Sequence, residues 1–393
     1  MLNQPGFFNI SERARQLTTL GDPLVALNAR IDWEAFRTDL NRIHEKVRKS
    51  TGGAKSIDVV LMFKILVLQQ LNNLSDDGIE YQIRDRISYM RFLNLQFEDR
   101  IPDAKTIWLF RERLKAHALV AVLFARFHEQ LAAHGYVAKA GQMIDATFIE
   151  VPRQRNTREE NATLKTGEVP GEWQADTRAA HNKLRQKDVD ARWTKKNNET
   201  HYGYKNHINA DAKDKLIQDY AVTDAAVHDS NVFEELLDHE LDEHSKKRDI
   251  YADSAYRSQE KEGLLLSENI GSQIHEKGVR GTPLTETQKE SNRIKSKTRA
   301  RVEHVFGSQA QMGGHIVRTI GALRAAVKIG LMNLVYNMRR LVQLIKRDMK
   351  NHRVVTPAVG WKRGDTPSKR EIGLYFYQKN AKSVSWNRIF WKK

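Results

Sequence analysis

Asp145 and Asp253 lie 108 residues apart, each set against a short apolar run: Ile144 to Val151 in GQMIDATFIEVP, and Ile250-Tyr251-Ala252 in RDIYADSAYRS. A charge inside a β-branched and aromatic strand is costly when buried and unpaired, so two such carboxylates call for a shared partner. A divalent metal is one such partner, and a third carboxylate completes its shell. Glu303 in TRARVEHVFG is the candidate, in a helical pattern with Arg299 four residues before it and Val302, Val305 and Phe306 on an apolar flank. Asp, Asp and Glu on separate elements give an all-oxygen set suited to hard Mg²⁺, with Mn²⁺ as substitute, and to phosphoryl transfer. Taken singly, the same residues read as turn formers, a strand terminator and a surface ion pair worth about 0.3 to 0.5 kcal/mol.

The elements that must gather these carboxylates alternate in type. GYVAKAGQMIDATFIE switches from helical to strand character, which sets a domain boundary near residue 136. Tyr204 to Ala210 and Leu216 to Thr223 read as a hairpin across DAKDK. His207, on the first of these strands, reads as a structural or DNA-facing histidine, because Mg²⁺ takes oxygen ligands. AVHDSNVFEELLDHELDEH predicts a helix capped by Asp229 or Ser230, with Val232, Phe233, Leu236, Leu237 and Leu241 as its buried stripe. Its His239 and His244 are five apart rather than four, which excludes a zincin site. After Asp253, YRSQEKEGLLLSENIGSQIHEKGVRG predicts a helix and a further strand, and a basic helix over 283 to 301 leads into Glu303. Leu323, Val327, Leu331, Leu334, Met338, Leu341 and Ile345 then mark a packed helix. Strand, hairpin, helix, strand, helix is a mixed α/β domain.

Upstream, Pro5, Gly6, Gly21 and Pro23 predict a flexible lead over 1–30. Trp33, Phe36, Leu40 and Ile43 form one apolar helix face, and VVLMFKILVLQQL, with Ser56 as its cap, predicts a buried helix. Ser75 and Asp76 cap a segment with Ile79 and Ile83 inward. A helix at Ser88 to Leu95 follows, then a long one from Ala104 to Ala133. These short helices and tight turns over 31–135 read as an all-helical, helix-turn-helix-like N-terminal domain with Arg84, Arg86 and Arg91 facing DNA, or else as a bundle that only packs on the catalytic domain. Residues 152–200 read as a polar basic loop at the mouth of the site, with Arg153, Trp173, Trp193, Lys195 and Lys196 suited to phosphate contact and base stacking.

Charge is unevenly placed. Residues 272–393 hold 26 Lys plus Arg against 7 Asp plus Glu, a net of +19, whereas the whole chain of 393 residues carries +16. Such asymmetry points to a polyanion, with Arg293, Lys295, Lys297 and Arg301 flanking the metal site on its backbone. The basic aromatic tail, 347–393, reads as a nucleic-acid arm or an assembly interface. The chain has no Cys, which excludes thiolate chemistry and disulfides, and no window is apolar enough to span a membrane. These features predict a soluble, cytoplasmic protein.

Residues 141–151, 201–230, the YADSAY stretch and RVEHVFG occur in the order of four blocks found in a known family, and GALRAAVKIGLMNLVYNMRRL follows as a fifth. Over about residues 55 to 346 the chain resembles the transposases of bacterial insertion sequences whose single-chain Asp-Asp-Glu catalytic domain has the ribonuclease-H-like fold. The resemblance implies Asp145, Asp253 and Glu303 as catalytic metal ligands for two Mg²⁺ ions, with Asp145 bridging them and Arg299 orienting Glu303 or touching phosphate. It also implies a catalytic domain over 136–346, double-stranded DNA with terminal inverted repeats and a target duplex as partners, and a homodimer or higher oligomer on DNA. Where related elements carry a Tyr before the Arg and a basic residue after the Glu, this chain has Ser296 and Gln309. A structure-specific endonuclease of the same fold, or a non-catalytic DNA-binding derivative, shares the sequence features but not strand joining.

Overall fold

The strand-forming runs Tyr204 to Ala210 and Leu216 to Thr223 are joined by the polar turn DAKDK, and the chain folds back there as a hairpin. The computed structural model describes residues 7–44, 56–138, 141–196, 198–239, 248–278, 281 and 283–351. The tail from residue 352, the Gly52-Gly53 break, and Leu241 and His244 lie outside these residues.

Among the described residues, eight α-helices precede the sheet: α1 (Phe7–Thr19), α2 (Pro23–Arg30), α3 (Arg37–Asn41), α4 (Val59–Leu71), α5 (Asp76–Asp85), α6 (Ile87–Leu93), α7 (Ala104–Ala116) and α8 (Leu119–Ala133). The flexible lead expected over 1–30 is instead helical across α1 and α2. Gly21 and Pro23 punctuate rather than break: Gly21 takes φ +86, and the Asp22 carboxylate accepts from Leu24 N with Pro23 at the first helical turn. The cap of α4 is Asp58, accepting from Leu61 N, rather than Ser56. The expected long helix from Ala104 is two, because Ala118 turns to φ +49 and lets both Leu114 and Leu119 bury completely.

The sheet follows: β1 (Gln142–Glu150), β2 (Arg192–Lys196), β3 (Glu199–Asp211), β4 (Ile217–Asp224) and β5 (Ile250–Tyr251). β3 pairs antiparallel with β1 on one edge and with β2 and β4 on the other, while β5 runs parallel to β1. Ser272 bridges in parallel to Ile250, so the further strand expected after Asp253 is reduced to a single bridge. This order, with a central strand between an antiparallel hairpin and a parallel neighbour, is a mixed sheet of ribonuclease-H-like type. α9 (Arg158–Lys165) and α10 (Arg178–Gln186) fill the β1–β2 connection. α11 (Phe233–Leu236) and α12 (Gln259–Ser267) flank β5, and α13 (Glu286–Arg299), α14 (Arg301–Gln311) and α15 (Ala322–Lys350) follow.

Residues 152–200 are therefore not a loop. Thr157 and Thr177 cap the two helices, and Trp173 between them is 0% exposed, its indole donating to Glu160 at 2.8 Å while Lys183 grips the same carboxylate at 2.6 Å. Trp173 is a core residue of this insertion and stacks on no base. The helix after Val227 is also shorter than expected: a 3₁₀ turn capped by His228 leads into only four α-helical residues.

α15, 29 residues long, packs on α2, α4, α7 and α8 and also on β3 and β4, because nearly every side chain from Ala325 to Ile345 is buried. Only Leu323 of its expected stripe faces solvent. One apolar core thus runs from Leu27 through Met143 to Ile345, and a smaller one, with Ile144, Phe233, Ile250 and Tyr256, fills the opposite face of the sheet. The helical N-terminal part is fixed to the sheet through α15 rather than hung on a linker. Within it, the Arg91 guanidinium donates to Ala14 O at 2.7 Å and Thr18 Oγ1 at 2.9 Å, and so serves to dock α1. Arg91→Ala loses about 1–2 kcal/mol, confined to α1. Hydrogen exchange checks this: residues 7–19 exchange faster, and the amides of α4 keep their protection.

Candidate active site

Asp145 sits in the middle of β1 because Met143, Ile144 and Ile149 anchor the strand to both cores. β5 pairs with β1 only at Gln142↔Ile250 and Met143↔Tyr251. Carrying that register forward sets Asp253 level with Asp145, two residues past the end of β5. Adjacent strands are spaced at about 4.8 Å, so the two carboxylates emerge side by side. Beyond Met143 this edge of β1 meets no strand among the described residues until Glu150 bridges to Ile316, which leaves an open edge between the Asp253 turn and the 315–317 segment. Asp253 begins a 3₁₀ turn, its Oδ1 accepting from Ser254 Oγ at 3.0 Å and Ala255 N at 3.3 Å.

Across the edge, Arg299 ends α13 and Glu303 lies in the first turn of α14, one helical turn away. The Arg299 guanidinium donates to Asp145 Oδ2 at 2.7 Å and approaches Glu303 Oε1 at 3.8 Å, which ties the strand carboxylate to the helix carboxylate. The Asp145 side chain is only 13% exposed and Glu303 is 60% exposed. Burial pushes the Asp145 carboxyl up to about 6, outweighing the pull of Arg299, and Glu303 adds to the rise. Burial also opposes ionisation of Asp253. There, the hydrogen bonds from Ala255 and Ser254, with the charges of Arg299 and Lys196, outweigh it and hold the carboxyl below its usual range. Two neighbouring carboxylates with displaced titration mark a place where charge is handled.

The donors here are all oxygens, the set that a hard divalent cation takes. Among the described residues no group of three or more His, Cys, Asp or Glu side chains stands in a cation-holding arrangement, the Arg299 guanidinium lying between Asp145 and Glu303 instead. The phenol of Tyr256, three residues after Asp253, is buried without a hydrogen-bond partner.

The basic residues expected at DNA divide into two groups. Arg84 is paired to Glu80, Arg86 lies over the Tyr89 ring, Arg91 docks α1, and Arg293 is paired to Glu290. Lys295 is turned inward onto Ile274 O and Glu276, and Arg301 donates to Ala212 O. Lys195 and Lys297 are exposed, and Lys196 stands at the site, held to Asp229 at 3.4 Å. Gln309, where related elements carry a basic residue, is buried and donates to Asn333 Oδ1, and Asn333 in turn exchanges hydrogen bonds with Asn206 of β3. This amide triad locks α14 to the sheet, a role that a charged side chain could not take without desolvation cost.

A family model described as Transposase DDE domain matches residues 138–338, just over half of the chain. The chain belongs to the DDE transposase family. The N-terminal part of this transposase matches a second model, Transposase domain (DUF772), over residues 12–113. The two matched segments fall on either side of α8, although the apolar core is continuous across it. The transposase is also similar to a solved structure, the piggyBac transposase synaptic complex with hairpin DNA, at 14% identity and a TM-score of 0.43, covering 85% of this chain and 77% of that one. Among the described residues of the transposase, no helix is long and apolar enough to cross a membrane.

Sequence reasoning missed Asp229 and Lys205 as a buried ion pair beside the site. Asp229 reads from sequence as a helix cap, and only the strand alternation of β3 hints that Lys205 points inward.

Proposed function

We propose that this transposase cleaves DNA at the ends of an insertion sequence in a metal-dependent reaction and transfers the freed 3′ hydroxyl into target DNA. The observation that carries the reading is the register of β1 and β5, which sets Asp145 level with Asp253 at an open strand edge, with Arg299 joining Asp145 to the Glu303 helix. Asp145, Asp253 and Glu303 would hold Mg²⁺, or Mn²⁺ in its place. When bound, such ions activate an attacking oxygen and stabilise the leaving one. The chain's own residues shape the rest. β1 and β5 fix the spacing of the two aspartates, α14 carries Glu303 at an exposed position open to substrate, and Arg299 supplies a fixed positive charge for a phosphate. Double-stranded element ends and a target duplex are the partners, with a dimer or higher oligomer bringing two ends together, and Lys195 and Lys297 are exposed cations placed for their backbones.

The test supplies a pre-cleaved end bearing a 3′ hydroxyl, target plasmid and Mg²⁺ or Mn²⁺, and sequences across any junction. Covalently joined molecules are expected. A protein that cuts intact ends but never yields joined products across a range of end sequences is a structure-specific endonuclease instead.

A further inference from the structure

On the face of the sheet opposite the amide triad lies an ion cluster that the reaction scheme does not use. Asp229, at the start of the 3₁₀ turn after β4, is buried, as is Lys205 of β3. Lys205 Nζ lies 2.8 Å from Asp229 Oδ1 and also donates to Val227 O at 2.6 Å, so it alone neutralises the carboxylate. A second ammonium is present nevertheless. Lys196, at the end of β2, lies 3.4 Å from Asp229 Oδ2, its side chain 45% exposed. Both ammonium groups lie over the ring of Phe148 in β1, Lys205 at 5.1 Å and Lys196 at 5.7 Å from its centre. His201 stacks on the same ring at 4.1 Å with an interplanar angle of 5°.

The two lysines are therefore not equivalent. Lys205 is short of solvent, doubly bonded and fixed. Lys196 is the outer cation, with a longer contact to a carboxylate that already has its counter-charge, so a competing anion can draw it away at small cost. It also stands near the site, since the 3₁₀ turn of Asp229 that holds it packs on the turn Ser254–Tyr256 directly after Asp253. We infer that Lys196 is a phosphate-binding residue of the reaction centre, and that Asp229, neutralised by Lys205, is the positioning residue that holds Lys196 over the Phe148 ring of β1 until a DNA phosphate takes it over. This rests on the reading of DNA as substrate.

Three variants test it on full-length protein with a labelled end duplex and Mg²⁺. Lys196→Met is expected to weaken binding roughly fivefold at moderate salt and to reduce the slope of log K against log salt by about 0.9, the signature of one lost phosphate contact. Lys196→Arg, which keeps the charge, is expected to restore the slope. Asp229→Asn leaves the cation available, so the slope is unchanged, but single-turnover cleavage at saturating DNA falls about tenfold because the cation is no longer placed beforehand. Should Asp229→Asn strand Lys205 and unfold, the Asp229→Asn, Lys205→Met double variant removes the buried pair as a unit and is expected to show the same kinetics. A Lys196→Met protein with wild-type slope and affinity overturns the inference, as does a folded Asp229 variant that cleaves at the wild-type rate. A wild-type protein that neither binds nor cleaves element ends instead overturns the functional reading itself.

Discussion

Asp145→Asn lowers the rate of end cleavage by at least about 10³-fold, ~4 kcal/mol in the barrier, while the protein stays folded. The change keeps the shape of the side chain in the middle of β1 and removes one charge from a pair of carboxylates set level by the β1–β5 register. The loss is therefore in chemistry rather than in packing. Stability moves the other way. The buried carboxyl titrates near 6 in the fold against an ordinary 3.8, so the contribution of its neutral form is present below the ordinary value and lost as pH rises through 6. With chelator present, Asp145→Asn escapes this loss and gains on the order of 3 kcal/mol relative to wild type between about pH 4 and pH 7. Cleavage assays and urea melts of both proteins at the two pH values check both halves. Cleavage by Asp145→Asn within tenfold of wild type would show that the carboxylate is not needed.

Asp188→Ala destabilises the whole fold by about 3–5 kcal/mol, the largest effect on stability expected from one substitution away from the site. Asp188 lies just before β2, buried, and works as a hub. Tyr204 Oη donates to its two oxygens at 2.8 and 2.9 Å, Asp190 N and Ala191 N donate to Oδ1 at 3.1 Å, and Gly321 N donates to Oδ2 at 3.1 Å. The neighbouring Asp190 carboxylate accepts from Ala322 N at 2.8 Å, so the pair fastens the α9–α10 insertion, β3 and the start of α15 together. Removing the carboxylate leaves the Tyr204 hydroxyl and the Gly321 amide without acceptors in a dry place, which is costlier than the loss of the bonds themselves. Chemical denaturation should show a lower midpoint with an unchanged slope. A midpoint equal to that of wild type would mean that water replaces the hub.

Much of this protein was legible in its sequence because the signals are local. A carboxylate lodged in an apolar strand, Arg299 and Glu303 one helical turn apart, the all-round apolar run of α4 and the cap at Ser75 each depend on residues within a few positions of one another, and the fold honours them. Periodicity likewise placed Ile79, Ile83 and the stripe of α15 from Val327 to Ile345 in the core. What tertiary structure decided is everything whose partner lies far along the chain. No local pattern tells that Arg91 bonds to Ala14 and Thr18, that Lys295 turns inward to Glu276, or that Gln309 closes an amide triad with Asn206 and Asn333. The stretch 152–200 shows the limit most clearly. Its polar composition reads as loop, yet Trp173, buried with Leu164 and Ala180 and with a carboxylate for its indole and lysines over its ring, gives the two helices a small core of their own. How firmly the fold holds a basic side chain depends on contacts between residues distant in sequence, here Lys196 with Asp229 across β2 and the turn after β4.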